Sequence, residues 1–270
     1  MRIFFVVFVS WVWTSVVSAK TILILVATGE LGVAISHLLC EKDYDIVVAV
    51  RDKDKADKLI GNLKSRYPNK AISYMHMDYS KPAAIDLSAL NGIALDGVVV
   101  IPPRPAFSTT VGIPTKEEWD AVFALTYSSP LEVVRRLEPY MNKEGSVVIM
   151  SGITSEQYIP TYQNSNVIRL AWTGAIKNLM HQFSQKSIRV NAISPGTILT
   201  EFNKSKIQKR AESKGICFEE ELKRSISNVP LKQYGQPMDV AKVAYFLLSD
   251  LASHVNGVNL PIDGGESLSY

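Results

Sequence analysis

The chain has 270 residues, 47% hydrophobic and 20% charged, with two cysteines and a net charge of +3. That balance excludes disorder, collagen-like repeats and a disulfide scaffold, and it suits one large α/β domain or two small ones with a sizeable core. The small basic excess gives no electrostatic case for nucleic acid as a partner, and no Cys/His cluster has metal-ligand spacing, so no metal site is expected.

Residues 1–19 join Met1-Arg2 to an apolar run over 3–17 and the small-x-small ending Val17-Ser18-Ala19. A short basic start, an apolar stretch and such an ending form the pattern of a secretory signal peptide. The run is short for a spanning helix, which needs about 20 residues, but a membrane anchor stays open beside it. An overlong start that the mature protein lacks is the third reading. The first two imply export or membrane association, and the third a cytoplasmic protein.

From residue 20 onward no linker, charge block or repeat divides the chain. Apolar runs at 21–27, 45–50, 72–76, 97–101, 147–150, 188–193 and 258–262 read as strands. Amphipathic stretches at 30–40, 54–67, 116–141 and 162–185 read as helices. Trp119 falls on the apolar side of its helix and is assigned to the core, as are Cys40 and Cys217. Continuous apolar strands separated by helices predict a doubly wound parallel sheet of seven strands in a single α/β domain over 20–270. The ligand crevice is expected at the carboxyl ends of the strands.

Several segments in order carry a resemblance. They are Glu117-Glu118-Trp119-Asp120, then Arg189-Val190-Asn191-Ala192-Ile193-Ser194-Pro195-Gly196. Val229-Pro230-Leu231 through Gly235-Gln236-Pro237, Asp239-Val240-Ala241, Gly257 and Asp263-Gly264-Gly265 complete the set. This ordered set resembles the short-chain dehydrogenase/reductase (SDR) family from about residue 21 to the end. The resemblance implies a Rossmann domain that binds NAD(H) or NADP(H) and assembles as a homodimer or homotetramer. It also implies oxidoreductase activity on a small-molecule or acyl-thioester substrate.

The turn after the first strand reads Val26-Ala27-Thr28-Gly29-Glu30-Leu31-Gly32. Glycines in such a turn let the backbone approach a pyrophosphate at the next helix N-terminus, so Thr28, Gly29 and Gly32 are cofactor candidates. Val26 stands at the family's first glycine, where a β-branched residue resists positive φ. Glu30 suits the helix dipole but repels a phosphate. Arg51, after the second strand, suits a ribose 2′-phosphate and favours NADP(H) over NAD(H). Asp78 resembles the family's adenine contact, and Pro195, Gly196, Ile198 and Thr200 its nicotinamide-side loop. The family's Asn-Asn-Ala-Gly is replaced by Val100-Ile101-Pro102-Pro103.

Carbonyl reduction needs an acid, a cation near the developing oxyanion and an orienting hydroxyl. Counting back from Ile188-Arg189-Val190-Asn191, the family's lysine falls on Arg169, its tyrosine on Ser165, its serine on Gly152 and its asparagine on Thr126. All four differ. Tyr162 precedes Arg169 by seven residues, a spacing similar to that of the enoyl-acyl-carrier-protein reductases, and two helical turns put both on one face. Tyr162 is therefore the candidate acid and Arg169 its electrostatic partner, with Ser151 beside the lost serine. A packed helix-start aromatic is the plainer reading of Tyr162. Lys204, Lys206, Lys209, Arg210 and Lys214 form a basic segment where the family carries its substrate lid, read either as a solvated face or as a dock for an acidic carrier. Two functions stay open: an NADP(H)-dependent reductase with an altered catalytic set, and a degenerate member kept as a binding or assembly scaffold.

Overall fold

The buried runs become strands: β1 (Thr21–Leu25), β2 (Asp45–Val50), β3 (Ile72–His76), β4 (Leu95–Val100), β5 (Met141–Met150), β6 (Arg189–Pro195) and β7 (Asn259–Ile262). They form one sheet, all neighbours parallel, in the order β3-β2-β1-β4-β5-β6-β7. The computed structural model describes residues 19–106 and 113–269. The apolar run read as signal peptide or anchor lies over residues 1–18, outside the described residues. Among those described, no helix is long and apolar enough to cross a membrane.

Successive strand side chains point to opposite faces, so β1 feeds two cores. Ile22 and Ile24 join one cluster, under α1 (Glu30–Glu41), α2 (Lys53–Arg66) and the later helix spanning Pro237–Leu248. Leu23 and Leu25 join the other, under α3 (Lys116–Phe123), α4 (Ser129–Leu137) and α5 (Gln163–Phe183), where Trp172 and Phe183 are fully buried. The last third adds α6 (Glu201–Lys214), α7 (Phe218–Ser225) and α8 (Pro237–Leu248). The chain leaves β1 toward β2 and β3, then returns to lay β4 on the other side. That reversal opens a crevice at the carboxyl ends of β1 and β4.

The seven-stranded doubly wound domain agrees with the sequence expectation; several boundaries differ, each for a physical reason. The strand expected over 21–27 stops at Leu25, because Val26 turns the chain with φ +62° while donating its N–H to Ala49 O at 2.8 Å. The single helix expected over 116–141 is broken by a π-helical turn, Ala124–Ser128, and Met141 belongs to β5. Tight packing accompanies that turn: fully buried Trp172 donates its indole N–H to Thr126 O at 3.0 Å. Trp119 is half-buried rather than core, tilted against Phe123 with ring centroids 5.9 Å apart. Cys40 is buried as expected, and burial pushes its thiol up to about 11; Cys217 is exposed instead, at the N-terminus of α7.

Candidate functional site

A cleft of about 570 Å³ opens at the carboxyl ends of the central strands, under α6. The sheet supplies its floor, through Met150-Ser151-Gly152 after β5 and Pro195-Gly196 at the end of β6. Its positions follow from close packing. A Cβ at Gly32 would lie 2.5 Å from Ala27 O, and one at Gly196 would lie 2.5 Å from Asp263 Cβ, so neither can carry a side chain without a shift. Gly29 is different: a Cβ there meets nothing within 4 Å, which leaves open ground before the first N–H groups of α1.

Gly29, Gly32, Ser151, Tyr162, Arg169, Pro195, Gly196, Ile198 and Thr200 all line this cleft. Three other sequence candidates do not. Thr28 is half-buried in the turn. Arg51 is exposed beyond β2, and Asp78 follows β3, where its carboxylate accepts from Ser80 N at 2.9 Å and Ser80 Oγ at 2.7 Å. Ser80 chiefly, and the nearby Arg51 charge further down the order, hold Asp78 below the usual carboxylate range. Arg51 and Asp78 thus face each other electrostatically outside the main cleft, across the ends of adjacent strands.

Arg169 is the half-buried cation at the floor of the site. Its guanidinium donates to Met150 O at 2.8 Å and lies beside Gly152, where a Cβ would be 3.6 Å from Nε. The serine-position glycine therefore leaves space that the arginine head takes up. Burial, then the nearby Arg104 charge, push the guanidinium down to about 10, so it stays charged at neutral pH. Among the described residues it meets no carboxylate.

Tyr162 is the N-cap of α5, with φ −117°, and not a helical residue. The one-face argument from two helical turns therefore does not hold as stated; the cap turn, not the helix, brings Tyr162 to the same cleft as Arg169. Asn166 fixes that turn: its amide donates to Ile159 O at 2.9 Å and accepts from Ile159 N at 3.2 Å, while Asn166 N bonds Tyr162 O at 2.8 Å. Ser151, 4% exposed, has a hydroxyl with no partner among the described residues. Below it, Ser155 Oγ lies 2.8 Å from Gly152 O and accepts from Asn259 Nδ2 at 2.8 Å, and Ser194 Oγ donates to Asn259 Oδ1 at 2.7 Å. This network pins the loop after β5 to β6 and β7. Ser165 lines the cleft too, whereas Thr126 is buried and donates its hydroxyl to Val122 O at 2.6 Å.

The residues fit a dinucleotide along Gly29 and the loop at 197–200, except where the Glu30 carboxylate and the Val26 side chain stand. The Glu30 carboxylate accepts the first N–H of α6, Glu201 N, at 2.9 and 3.1 Å. It bridges the N-termini of α1 and α6 where a pyrophosphate seeks the same N–H groups, and it must swing aside to admit one. Thr200 is already engaged as the N-cap of α6, accepting from Asn203 N at 3.3 Å.

Sequence reading missed Arg104 and the use of Phe202. Arg104 follows the double proline and sits 4.2 Å over the Phe202 ring; Lys206 sits 4.9 Å from that ring and 5.5 Å from the Tyr162 ring. No periodic signal marks a loop arginine, and only the fold joins it to α6. The basic segment divides accordingly. Lys204 pairs with Glu201 at 2.6 Å, while Arg210 and Lys214 each pair with Glu221 at 2.8 Å; Lys206 lines the cleft, as does Arg210 beside its ion pair.

A family model described as enoyl-(acyl carrier protein) reductase matches residues 26–267. Dehydrogenase/reductase SDR family member 4 of Mus musculus is 27% identical over 254 residues, covering 92% of this chain and 87% of that protein. The L-sorbose reductase of Gluconobacter frateurii, solved in complex with NADPH and L-sorbose, superposes with a TM-score of 0.85 at 22% identity, covering 94% of this chain and 98% of that one. A short-chain oxidoreductase of Pseudomonas aeruginosa PAO1, described as containing an atypical catalytic centre, gives 0.84 at 19% identity over 93% and 98%. Those two structures share the fold, and the family match spans nearly the whole described chain. The chain belongs to the short-chain dehydrogenase/reductase family of oxidoreductases.

Proposed function

We propose that the protein is an NADP(H)-dependent oxidoreductase that reduces a carbonyl or conjugated acyl substrate with an altered catalytic set. One observation carries this reading: the Arg169 guanidinium, desolvated and without a carboxylate partner among the described residues, lines the cleft at the end of β5. A partly desolvated cation of that kind stabilises the negative charge that develops on an oxygen during reduction. Nicotinamide dinucleotide, when bound, supplies the hydride. Gly29, Gly32, Pro195, Gly196, Ile198 and Thr200 hold the dinucleotide in this reading, and Arg51 meets the 2′-phosphate.

Tyr162 delivers the proton to the substrate oxygen from its capped turn, and Arg169 holds that oxygen before and during transfer. Ser151, whose hydroxyl has no partner among the described residues, orients the same group. Arg169 acts as charge and hydrogen-bond donor, because a guanidinium does not surrender a proton near neutral pH. The NADPH recorded with the sorbose reductase supports the choice of cofactor class.

Two observations favour a second reading, a scaffold that has lost hydride transfer: Val26 held at φ +62° under the phosphate turn, and the Glu30 carboxylate on the N-terminus of α6. Calorimetric titration with NADPH and NADH separates the two. Micromolar NADPH binding with weaker NADH supports the reductase and Arg51; a folded protein that binds neither leaves the scaffold.

A further inference from the structure

The wall of the cleft facing α6 carries positive charge that the reduction of a neutral carbonyl does not need. Arg104 comes from the loop after β4, Arg169 from α5 and Lys206 from α6, three segments far apart in sequence that the fold brings to one cavity. Neither Arg104 nor Arg169 meets a carboxylate among the described residues. The charges repel one another: burial chiefly, and then the Arg104 charge, lower the affinity of Arg169 and Lys206 for their protons, with Arg210 adding to the effect on Lys206. The acidic residues lining the cleft are committed elsewhere, Glu30 to Glu201 N and Glu266 to Thr197 N and Oγ1 at 3.1 and 2.8 Å. Folding a cluster of like charges costs free energy that an anion recovers on binding.

The aromatic rings decide where the anion sits. Arg104 and Lys206 both lie against the Phe202 ring, and Lys206 also faces the Tyr162 ring. That stack holds two cationic heads on the α6 side of the proposed acid, while Arg169 stays at the floor beside Gly152. Ile153, Ile159 and Ile207 supply apolar surface in the same cleft. The arrangement separates an oxygen-stabilising cation from an anion-holding pair.

We infer that the substrate is anionic: a carbonyl compound with an apolar body and a carboxylate or phosphate group, held by Arg104 and Lys206 while Arg169 meets the carbonyl oxygen. This rests on the reductase reading for the role of Arg169, and on the cleft alone for the anion. The other source of such an anion is the dinucleotide's own phosphates, and the experiment distinguishes them.

The test measures binding to the purified full-length protein by calorimetry, with and without NADPH. The probes are 3-benzoylpropionate, an aryl ketone with a carboxylate, and its uncharged methyl ester. Arg104→Ala and Lys206→Ala accompany the wild type, with thermal melts to show that each is folded. The expected result is carboxylate binding about tenfold or more tighter than ester binding, the size of one charge-assisted contact. Each substitution is expected to remove about tenfold from the carboxylate alone and to leave NADPH affinity within about twofold. Lys206→Ala, on a helix surface, keeps the test decisive if Arg104→Ala fails to fold. Equal binding of the two probes overturns the inference. So does a loss of NADPH affinity in the folded variants, which assigns the cations to the cofactor. Carboxylate selectivity without any NADPH binding upholds the anion site and removes the reductase reading instead.

Discussion

At the scale of single residues, the first turn concentrates the departures from the family pattern. Val26 is a β-branched residue in the left-handed region, which costs roughly 1–2 kcal/mol relative to glycine. Its half-buried side chain packs on the core and returns a similar amount. Val26→Gly is therefore expected to change the unfolding free energy by less than about 1 kcal/mol, read by urea denaturation, because the relieved strain offsets the lost packing and the freer unfolded chain. The same change clears the space under the phosphate turn, and NADPH affinity is expected to rise about tenfold by titration; an unchanged affinity removes Val26 as an obstacle. Tyr162→Phe is expected to abolish turnover while leaving NADPH affinity within about twofold. Unaltered turnover in that variant removes the acid role. These residues were legible because they sit in fixed register with motifs. Arg104 was not, since its meaning depends on a long-range contact with Phe202 that no local spacing encodes.

At the scale of elements, burial on both faces makes a strand readable. β1, β2 and β4 are nearly continuous apolar runs, so their positions follow from composition alone. The polar beginning of β5, Met141-Asn142-Lys143-Glu144, carries no such signal, and its pairing with β4 shifts register between Leu95 and Gly97. The π-helical turn between α3 and α4 was invisible for a related reason: one extra residue in a turn barely disturbs an amphipathic pattern. The junction of α1 and α6 carries the prediction at this scale. Glu30 gives its carboxylate to Glu201 N and so ties the N-terminus of α6 to that of α1 at the mouth of the cleft. Glu30→Ala removes both the tether and a negative charge beside the incoming pyrophosphate. NADPH affinity is expected to rise several-fold, and the first-turn amides of α6 to exchange faster with deuterium. Faster exchange without a gain in affinity shows a tether that does not guard the cofactor site.

At the scale of the whole molecule, α5 separates two surfaces. Ser165, Arg169 and Trp172 share the inward side, while Val167, Leu170 and Gly174 recur at helical spacing on the opposite one. Leu170 is 58% exposed and Val167 41%, joined by Leu125 at 39% on the adjacent π-helical turn. A Cβ at Gly174 meets nothing, so the stripe is smooth, and a groove of about 330 Å³ between α4 and α5 extends it through Leu131 and Ala175. A second copy of the chain covers such a stripe most economically, because a two-fold axis pairs α5 with itself and buries both stripes at once. Sedimentation equilibrium is expected to give a mass of two or four times 29.9 kDa, and Leu170→Lys to return the monomer. The melting temperature of the wild type is then expected to rise with protein concentration while that of Leu170→Lys does not, since association stabilises only the folded chain. A wild type that sediments as a monomer at every concentration leaves α5 with one working face, the inward one that carries Arg169.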